Sequence, residues 1–328
     1  MEETGYPNQW PVHDTCPCCG STRIKEYFYK YKINHWICKN CSFVFVNPYP
    51  DEHTIRRLYN ASYYNAVREH IEIPKALMDG RDTSQSITDE YCYDIIDRIL
   101  LIKKTGKWLD VGGGIGSFLH MVQAENSQYE LFLNEWNENA ADFAREHYKL
   151  NVLLDSPEEL KGLGYSFDVI SFISVIEHIS HPIEFITSYS DLLNPGGILL
   201  INIPRFSRLN RYLSKSASNN VVPPYHLSLF HEKNIIPALH KLNLFLDITS
   251  WQQGENAFSL IDLMQVSEYF DVKVPQNDTT SPECFQVRPY TRLQIFCIDY
   301  LARINKKTQR AITAIDGSIF LNILAVKR

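Results

Sequence analysis

The chain has 328 residues, 45% hydrophobic and 21% charged, with a formal net charge of −6. That length can bury one large core plus a small module, and the acidic balance argues against a broad nucleic-acid interface, which needs a basic face. No run of 18 apolar residues occurs and Met1–Asp14 lacks the apolar core of a signal peptide, so the expectation is a cytoplasmic protein without a spanning helix.

Eight cysteines in a chain this long do not make a disulfide scaffold, and their spacing is more informative than their number. Two C-x-x-C pairs, Cys16/Cys19 and Cys38/Cys41, are separated by 18 residues, within the spacing of a four-cysteine zinc site. Each short pair aims two thiolates at one metal, and two pairs complete a tetrahedron. Four protein ligands leave no open position, so the spacing predicts a structural zinc, not a catalytic one. Gly20 and Asn40 supply turn residues, and Arg23–Tyr31 with Ile33–Ile37 alternate well enough for a hairpin. Cys18 is a spare thiol that could replace Cys19. Cys92, Cys284 and Cys297 stand outside the C-x-x-C pairs and read as small buried hydrophobes.

Phe43-Val-Phe-Val-Asn-Pro-Tyr-Pro follows as a strand ending in prolines. A zinc ribbon running into this segment, then a short helix, then Tyr63-Tyr64, resembles the head of bacterial methyltransferases that act on sugars and other small metabolites. A helix is predicted over Glu52–Tyr59. Residues 60–88 are polar and irregular and read as a lid or connection, in which Tyr63, Tyr64 and Arg68 could line a substrate mouth. Thr88 or Asp89 then caps a helix with Tyr91, Ile95, Ile96, Ile99, Leu100 and Ile102 at helical spacing.

Residues 109–119 read as strand, tight turn and helix: Leu109, Asp110 and Val111, then Gly112, Gly113, Gly114 and Gly116, then Phe118, Leu119 and Val122 on one helix face. Glycines let the backbone turn at positive φ and let a ligand approach, and a helix start favours an anion. The dinucleotide fingerprint needs Gly at 117, where Ser117 stands. The spacing G-x-G-x-G, with Asp110 two residues before it, resembles motif I of the class I S-adenosylmethionine methyltransferases.

From residue 105 strands and helices alternate, which predicts an α/β, Rossmann-like sheet, mostly parallel, with helices on both faces. The second strand, Tyr129–Asn134, ends at Glu135, 25 residues after Asp110. An acid there suits ribose hydroxyls, because a carboxylate accepts two hydrogen bonds from a cis-diol; charge pairing at a helix start is the alternative. The methyltransferase resemblance places the ribose role on Glu135, puts Trp136 beside the adenine, and puts the adenine amino contact at Asp155 or Ser156 after the short strand Val152–Asp155. Phe167–Ile179 resembles the family's fourth strand and its Glu-His turn, which implies that Ile173 and Ser174 flank the cofactor and that Glu177 and His178 open the next helix on the acceptor side. In ubiquinone-type O-methyltransferases a related E-x-x-E-H run binds a divalent ion, but here Ser174 replaces the first acid. His178 therefore keeps three readings: general base, metal ligand, or a residue that shapes the turn. Leu192-Leu-Asn-Pro-Gly-Gly before an apolar strand is a further family marker.

Past Pro204 the chain carries Arg205, Arg208, Arg211 and Lys215; the arginine forks suit a phosphate or carboxylate on the acceptor, or the charges are simply solvated. The segment His226-Leu-Ser-Leu-Phe resembles the family's acceptor border, which makes His226 a second base candidate; His231 is expected to cap or flank helix 232–242. Leu244–Trp251 and Ser318–Lys327 read as the last two strands, and the resemblance makes the final one antiparallel in a seven-stranded sheet. Between them Leu293, Phe296, Cys297, Tyr300, Leu301 and Ile304 recur at helical spacing, with Arg303, Lys306, Lys307 and Arg310 at the far end. That helix is a candidate core or homodimer helix, or a basic face for peripheral membrane contact.

The expected organisation is a zinc ribbon over 1–50, a helical lid or connection over 51–104, and a methyltransferase domain over 105–328 with a helical insertion at 254–316. The expected function is transfer of the S-adenosylmethionine methyl group to a small-molecule acceptor, a hydroxyl of a sugar, sugar nucleotide or related metabolite. Catalytic candidates are His178, His226 and Glu177. The alternatives are an RNA base methyltransferase, since some carry an N-terminal zinc module, and a non-catalytic module that keeps the fold.

Overall fold

A computed structural model describes residues 10–30, 33–51, 54–55, 87–126, 128–208, 210–218, 220–255 and 318–328. The helix expected at Glu52–Tyr59 lies outside them apart from Thr54 and Ile55. Tyr63, Tyr64, Arg68, Cys284, Cys297 and the 256–317 stretch lie wholly outside.

The strands are β1 (Ile24–Lys30), β2 (Ile33–Cys38), β3 (Val44–Val46), β4 (Gly106–Val111), β5 (Tyr129–Asn134), β6 (Asn151–Leu153), β7 (Phe167–Ile173), β8 (Leu193–Pro204), β9 (Ser228–Leu229), β10 (Phe245–Glu255) and β11 (Ser318–Lys327). The helices are α1 (Ile87–Ile102), α2 (Ser117–Glu125), α3 (Glu138–Phe143), α4 (Pro157–Gly162), α5 (Pro182–Ser190) and α6 (Glu232–Lys241).

Seven strands form one sheet in the order β10-β11-β8-β7-β4-β5-β6. Pairs among β4 to β8 are parallel, and β11 runs antiparallel to both β8 and β10. The strands are apolar because both faces are covered. Side chains alternate between faces: Leu109 and Val111 point to a core shared with Ile186, Tyr189, Ile235 and Leu239, while Trp108 points to one shared with Ile95, Ile99, Phe118 and Val122. β4 sits between β5 and β7, so the chain leaves it in opposite directions along the sheet. The carboxyl end of β4 is the switch point where open α/β sheets bind ligands.

The first three strands form a second sheet, which ends on β9 from the far part of the chain: its order is β1-β2-β3-β9, with Val44 opposite Leu229 and Phe45 opposite Ser228. The predicted hairpin is therefore present, with a bulge at Glu26/Phe28, but it does not stand apart from the main domain. Phe43 packs on Phe230 with ring centroids 4.9 Å apart.

Several expectations need correction. Glu177 and His178 do not open a helix: they form a single 3₁₀ turn, Ile176–His178, and α5 begins at Pro182, which is suited to a first helical turn. The sequence pattern also predicts one helix over Asn137–Tyr148, but that stretch divides into α3, capped by the Asn137 side chain, and a wide turn over Ala144–Tyr148. Pro195-Gly196-Gly197 does not precede its strand but lies within β8, where the register jumps from Phe167/Leu193 to Val169/Ile198. Gly196 takes φ 72°, which lets the strand step around that jump. The last strand matches Ser318–Lys327, and β10 extends to Glu255, beyond Trp251.

Candidate active site and metal centre

The two cysteine knuckles are built alike. Gly20 N–H donates to the Cys16 carbonyl at 2.8 Å and Ser42 N–H to the Cys38 carbonyl at 2.9 Å. Each knuckle closes on a residue at positive φ, Gly20 at 72° and Ser42 at 61°. The turns aim the sulfurs at one point: Cys16 Sγ lies 3.7 Å from Cys41 Sγ and Cys19 Sγ 3.7 Å from Cys38 Sγ, with all four within 4.8 Å of one another. Asn40 adds N–H donors to sulfur, from its backbone to Cys38 at 3.3 Å and its side chain to Cys19 at 3.7 Å. Cys18 Sγ donates to the Asn234 carbonyl at 3.6 Å and also lies near Cys41. Cys16, Cys19, Cys38 and Cys41 thus form a cluster able to bind a metal ion, and Cys18 joins the ribbon to α6.

The glycine turn follows β4 at the switch point. Gly112, Gly114 and Gly116 take φ of 67°, 59° and 84°, a region where side chains are strained. Gly113 is excluded from bearing a side chain for another reason: a Cβ there would stand 2.2 Å from Asp110 Oδ2 and 2.7 Å from Leu133 Cδ1. α2 starts at Gly116 with no side chain capping it, so its first N–H groups remain available to a ligand.

Two acids hold this turn. The Glu135 carboxylate accepts from Gly114 N–H at 2.9 Å through Oε2 and from Asn137 N–H at 2.7 Å through Oε1. Burial raises its pKa, opposed by those N–H donors. Asp110 lies beneath the loop, fully buried, and accepts from Ser171 Oγ at 2.6 Å. Ser171 Oγ in turn accepts from Trp108 Nε1 at 2.9 Å. Burial, partly offset by Ser171 and reinforced by Glu135, pushes Asp110 up to about 7. Asp110 therefore supports the turn from below, and Glu135 braces its upper edge.

The other cofactor candidates surround this point unevenly. Trp136 is half-exposed just past Glu135. Ser156 caps α4: its hydroxyl accepts from Glu159 N–H at 3.2 Å while the Glu159 carboxylate accepts from Ser156 N–H at 2.8 Å. Asp155 offers its carbonyl to Asn134 Nδ2 at 3.0 Å. Ile173 ends β7, and Ser174 follows at φ 53°, its N–H bonded to the Asn202 carbonyl at 2.9 Å.

Beyond Ser174 the 3₁₀ turn brings Glu177 and His178 against His226. One donor atom from each lies within 4.8 Å of the others, and His178 Nε2 stands 3.7 Å from Glu177 Oε1. The imidazoles of His178 and His226 meet edge to face at 4.9 Å. His178 Nδ1 contacts the Tyr225 carbonyl at 3.0 Å and His226 Nδ1 the Asn220 carbonyl at 2.8 Å. A carbonyl only accepts, so His226 Nδ1 carries the proton, while His178 bonds the backbone of both Tyr225 and Ser174. Glu177 is buried, and its carboxylate oxygens have no hydrogen-bond partner among the described residues. Burial pushes Glu177 up to about 8. Burial, then the neighbouring His226, lowers His178 to about 3. Burial lowers His226 as well, so it favours the neutral form of all three groups.

The arginines divide. Arg205 is buried and forks onto Glu232 at 3.0 and 3.1 Å, so its guanidinium is engaged within the fold. Arg211 is also buried, and its carbonyl accepts from Tyr27 of β1. Arg208 lies over the Tyr212 ring at 6.0 Å. His231 caps α6, accepting from Lys233 N–H at 3.1 Å. Reading the sequence missed Ser171 and Asn134. Both are polar residues inside apolar strands, and that break in the pattern was the available signal. Asn134 accepts from Tyr189 OH at 2.7 Å and ties β5 to α5.

A profile of the methyltransferase domain matches residues 84–248. Among curated relatives, the chain is 29% identical over 114 residues to a ubiquinone biosynthesis O-methyltransferase of Parvibaculum lavamentivorans, covering 34% of this chain and 43% of that protein. It is 41% identical over 54 residues to the protein of the same name from Dinoroseobacter shibae, covering 16% and 20%. The chain thus matches less than half the length of these relatives. Among solved structures, phosphoethanolamine N-methyltransferase 2 of Haemonchus contortus superposes with a TM-score of 0.50 at 18% identity, over 87% of this chain and 62% of that one. That likeness concerns the fold alone. With the glycine turn at the switch point and the profile spanning half of the sequence, this chain belongs to the methyltransferase domain family.

Proposed function

We propose that the chain transfers the methyl group of S-adenosylmethionine to a hydroxyl of a small-molecule acceptor, a sugar, sugar nucleotide or related metabolite. The observation that carries this is the adjacency of two devices at the carboxyl ends of neighbouring strands: the Glu135-braced glycine turn after β4, and the Glu177–His178–His226 cluster after β7. The names of the curated relatives support O-methylation, and the ribbon supports the sugar and small-metabolite type. Zinc is the metal that suits four cysteine sulfurs, in a structural site.

S-Adenosylmethionine supplies a sulfonium methyl that is already activated. Gly112, Gly113, Gly114 and Gly116 let the cofactor lie close to backbone N–H groups, and Asp110 keeps the turn in shape. Glu135, with lone pairs beyond those used by Gly114 and Asn137, takes the ribose diol. Trp136, Ile173 and Ser174 flank it, with Asp155 and Ser156 at the adenine end. The remaining work is to align the acceptor and remove its proton, and His178 and His226 assist that removal.

The test is calorimetry with S-adenosylmethionine, followed by a metabolite screen for a mass gain of one methyl group. Absence of cofactor binding to the wild-type chain defeats the reading. Binding without turnover on any hydroxyl acceptor defeats its acceptor half.

A further inference from the structure

The turn between β8 and β9 gathers positive charge in a chain whose net charge is −6. Arg205, Arg208, Arg211 and Lys215 all lie on it. Arg205 is neutralised by Glu232, onto which it forks at 3.0 and 3.1 Å. The other three form no ion pair among the described residues. They collect instead around two tyrosine rings. Arg208 Cζ stands 6.0 Å and Arg211 Cζ 5.7 Å from the centre of the Tyr212 ring, and Lys215 Nζ stands 5.7 Å from that of Tyr27. Tyr27 OH also donates to the Arg211 carbonyl, which closes the group against β1 of the ribbon.

Arg211 is 6% exposed, its Nε is buried, and its guanidinium meets no hydrogen-bond acceptor among the described residues. Buried charges are as a rule paired and buried donors satisfied, so a group that is neither calls for a ligand of opposite charge. A second such donor stands at the start of α6. Lys233 N–H donates to His231 Nδ1 at 3.1 Å, so the neutral ring carries its proton on Nε2. That Nε2 is buried and has no acceptor among the described residues. Asn234 repeats the pattern: its Oδ1 accepts from His231 N–H at 3.1 Å, and its Nδ2 is a buried donor without an acceptor there. Burial, then the nearby Arg211 charge, lowers His231 to about 4, so the ring stays neutral beside the guanidinium.

The same turn is tied to the proposed base. Asn220 Nδ2 donates to the Arg205 carbonyl at 2.9 Å, and the Asn220 carbonyl accepts from His226 Nδ1 at 2.8 Å. One residue thus fixes the cationic turn relative to His226. We infer that Arg211, with His231 beside it and Arg208 and Lys215 at the rim, forms a subsite for a phosphate group carried by the methyl acceptor. This rests on the acceptor reading above and narrows it to phosphate-bearing acceptors. An arginine fork matches two oxygens of a phosphate, and three cations without acids suit a group of more than one negative charge better than a carboxylate.

The test is calorimetry on the full chain, its cysteine cluster filled with zinc, with inorganic pyrophosphate as the probe and chloride holding the ionic strength constant. One equivalent is expected to bind, more weakly as ionic strength is raised. Arg211→Gln and Arg211→Lys are expected to weaken it at least ~10-fold, the second because an ammonium keeps the charge and loses the fork. No pyrophosphate bound by the wild type, or undiminished binding in both variants, overturns the site. Equal binding of acetate overturns its assignment to phosphate. A wild-type measurement makes the test independent of variant folding: the Arg211 Nε–H signal in nitrogen-15 magnetic resonance is expected to shift with pyrophosphate and not with chloride, and an unmoved signal overturns the site. In turnover, pyrophosphate is expected to compete with the acceptor, and turnover that pyrophosphate leaves unchanged overturns the role. Calorimetry with S-adenosylmethionine on the same samples reports on the methyltransferase reading separately. Cofactor binding without pyrophosphate binding leaves that reading standing while this inference falls.

Discussion

The Leu227 N–H donates to the Glu177 carbonyl oxygen at 2.7 Å, and the Leu227 carbonyl accepts from Val46 N–H at 2.9 Å. One residue thus bridges the turn after β7 to the strand that leaves the cysteine module. β3 pairs with β9 immediately beyond it. The ribbon is consequently part of the wall that carries His226, and its integrity bears on the proposed acceptor side.

Removing the metal from that module is expected to undo this wall. Structural zinc sites contribute about 10–16 kcal/mol of apparent binding free energy in small modules. Metal analysis should find one ion per chain held by Cys16, Cys19, Cys38 and Cys41. Cys38→Ser should release it, and hydrogen exchange should then rise in β1 to β3 and in 226–229 while β4 to β7 stay protected. Unchanged exchange at 226–229 would show that the ribbon does not support the site.

The glycine turn has no room at its second glycine. Gly113→Ala places a methyl 2.2 Å from Asp110 Oδ2. The expected cost is about 1–3 kcal/mol of overpacking, with S-adenosylmethionine affinity falling about tenfold or more in calorimetry. Gly162→Ala is the control, because nothing lies within 4 Å of its Cβ position; it should leave affinity unchanged.

Glu135→Ala strands the N–H groups of Gly114 and Asn137. Losing a charged acceptor from two backbone donors costs about 1–3 kcal/mol. Cofactor affinity should fall at least ~10-fold, because the brace and the proposed ribose contact would be lost together. Glu135→Gln, which keeps one acceptor oxygen, should fall between the two in both thermal stability and affinity.

Asp110 predicts a pH dependence. Its pKa is about 7 in the fold against an ordinary 3.8, chiefly through burial. The folded chain then holds a proton that the unfolded chain has released, so stability contributed by this group is full below pH 3.8 and declines as pH rises toward 7. Asp110→Asn removes this decline. Urea unfolding of wild type and variant at pH 5 and pH 8 should show the wild type losing more stability between them; parallel curves would place the Asp110 pKa near its ordinary value.

Much of this was legible in the linear chain. The two cysteine pairs were readable because metal geometry demands short knuckles. The glycine turn, Glu135 and the final strand Ser318–Lys327 were readable because local sterics and burial period write themselves into neighbouring positions. Turn details were less so. Glu177 and His178 form a 3₁₀ turn instead of a helix start, since Pro182 sets where α5 begins. That Ser156 caps α4 was not legible either, because it depended on Glu159 folding back onto it.

What the sequence determined by itself is the metal-binding knuckle, the order of strands and helices, and the cofactor turn, all set by contacts within a few residues or by the alternation of apolar positions. What only the tertiary structure decided is the meeting of Glu177, His178 and His226. His226 meets Glu177 and His178 because a strand from the ribbon pairs with 228–229 and because Leu227 bonds back to Glu177. Those contacts join segments distant in the chain, and no local pattern encodes which distant backbone a short strand will choose.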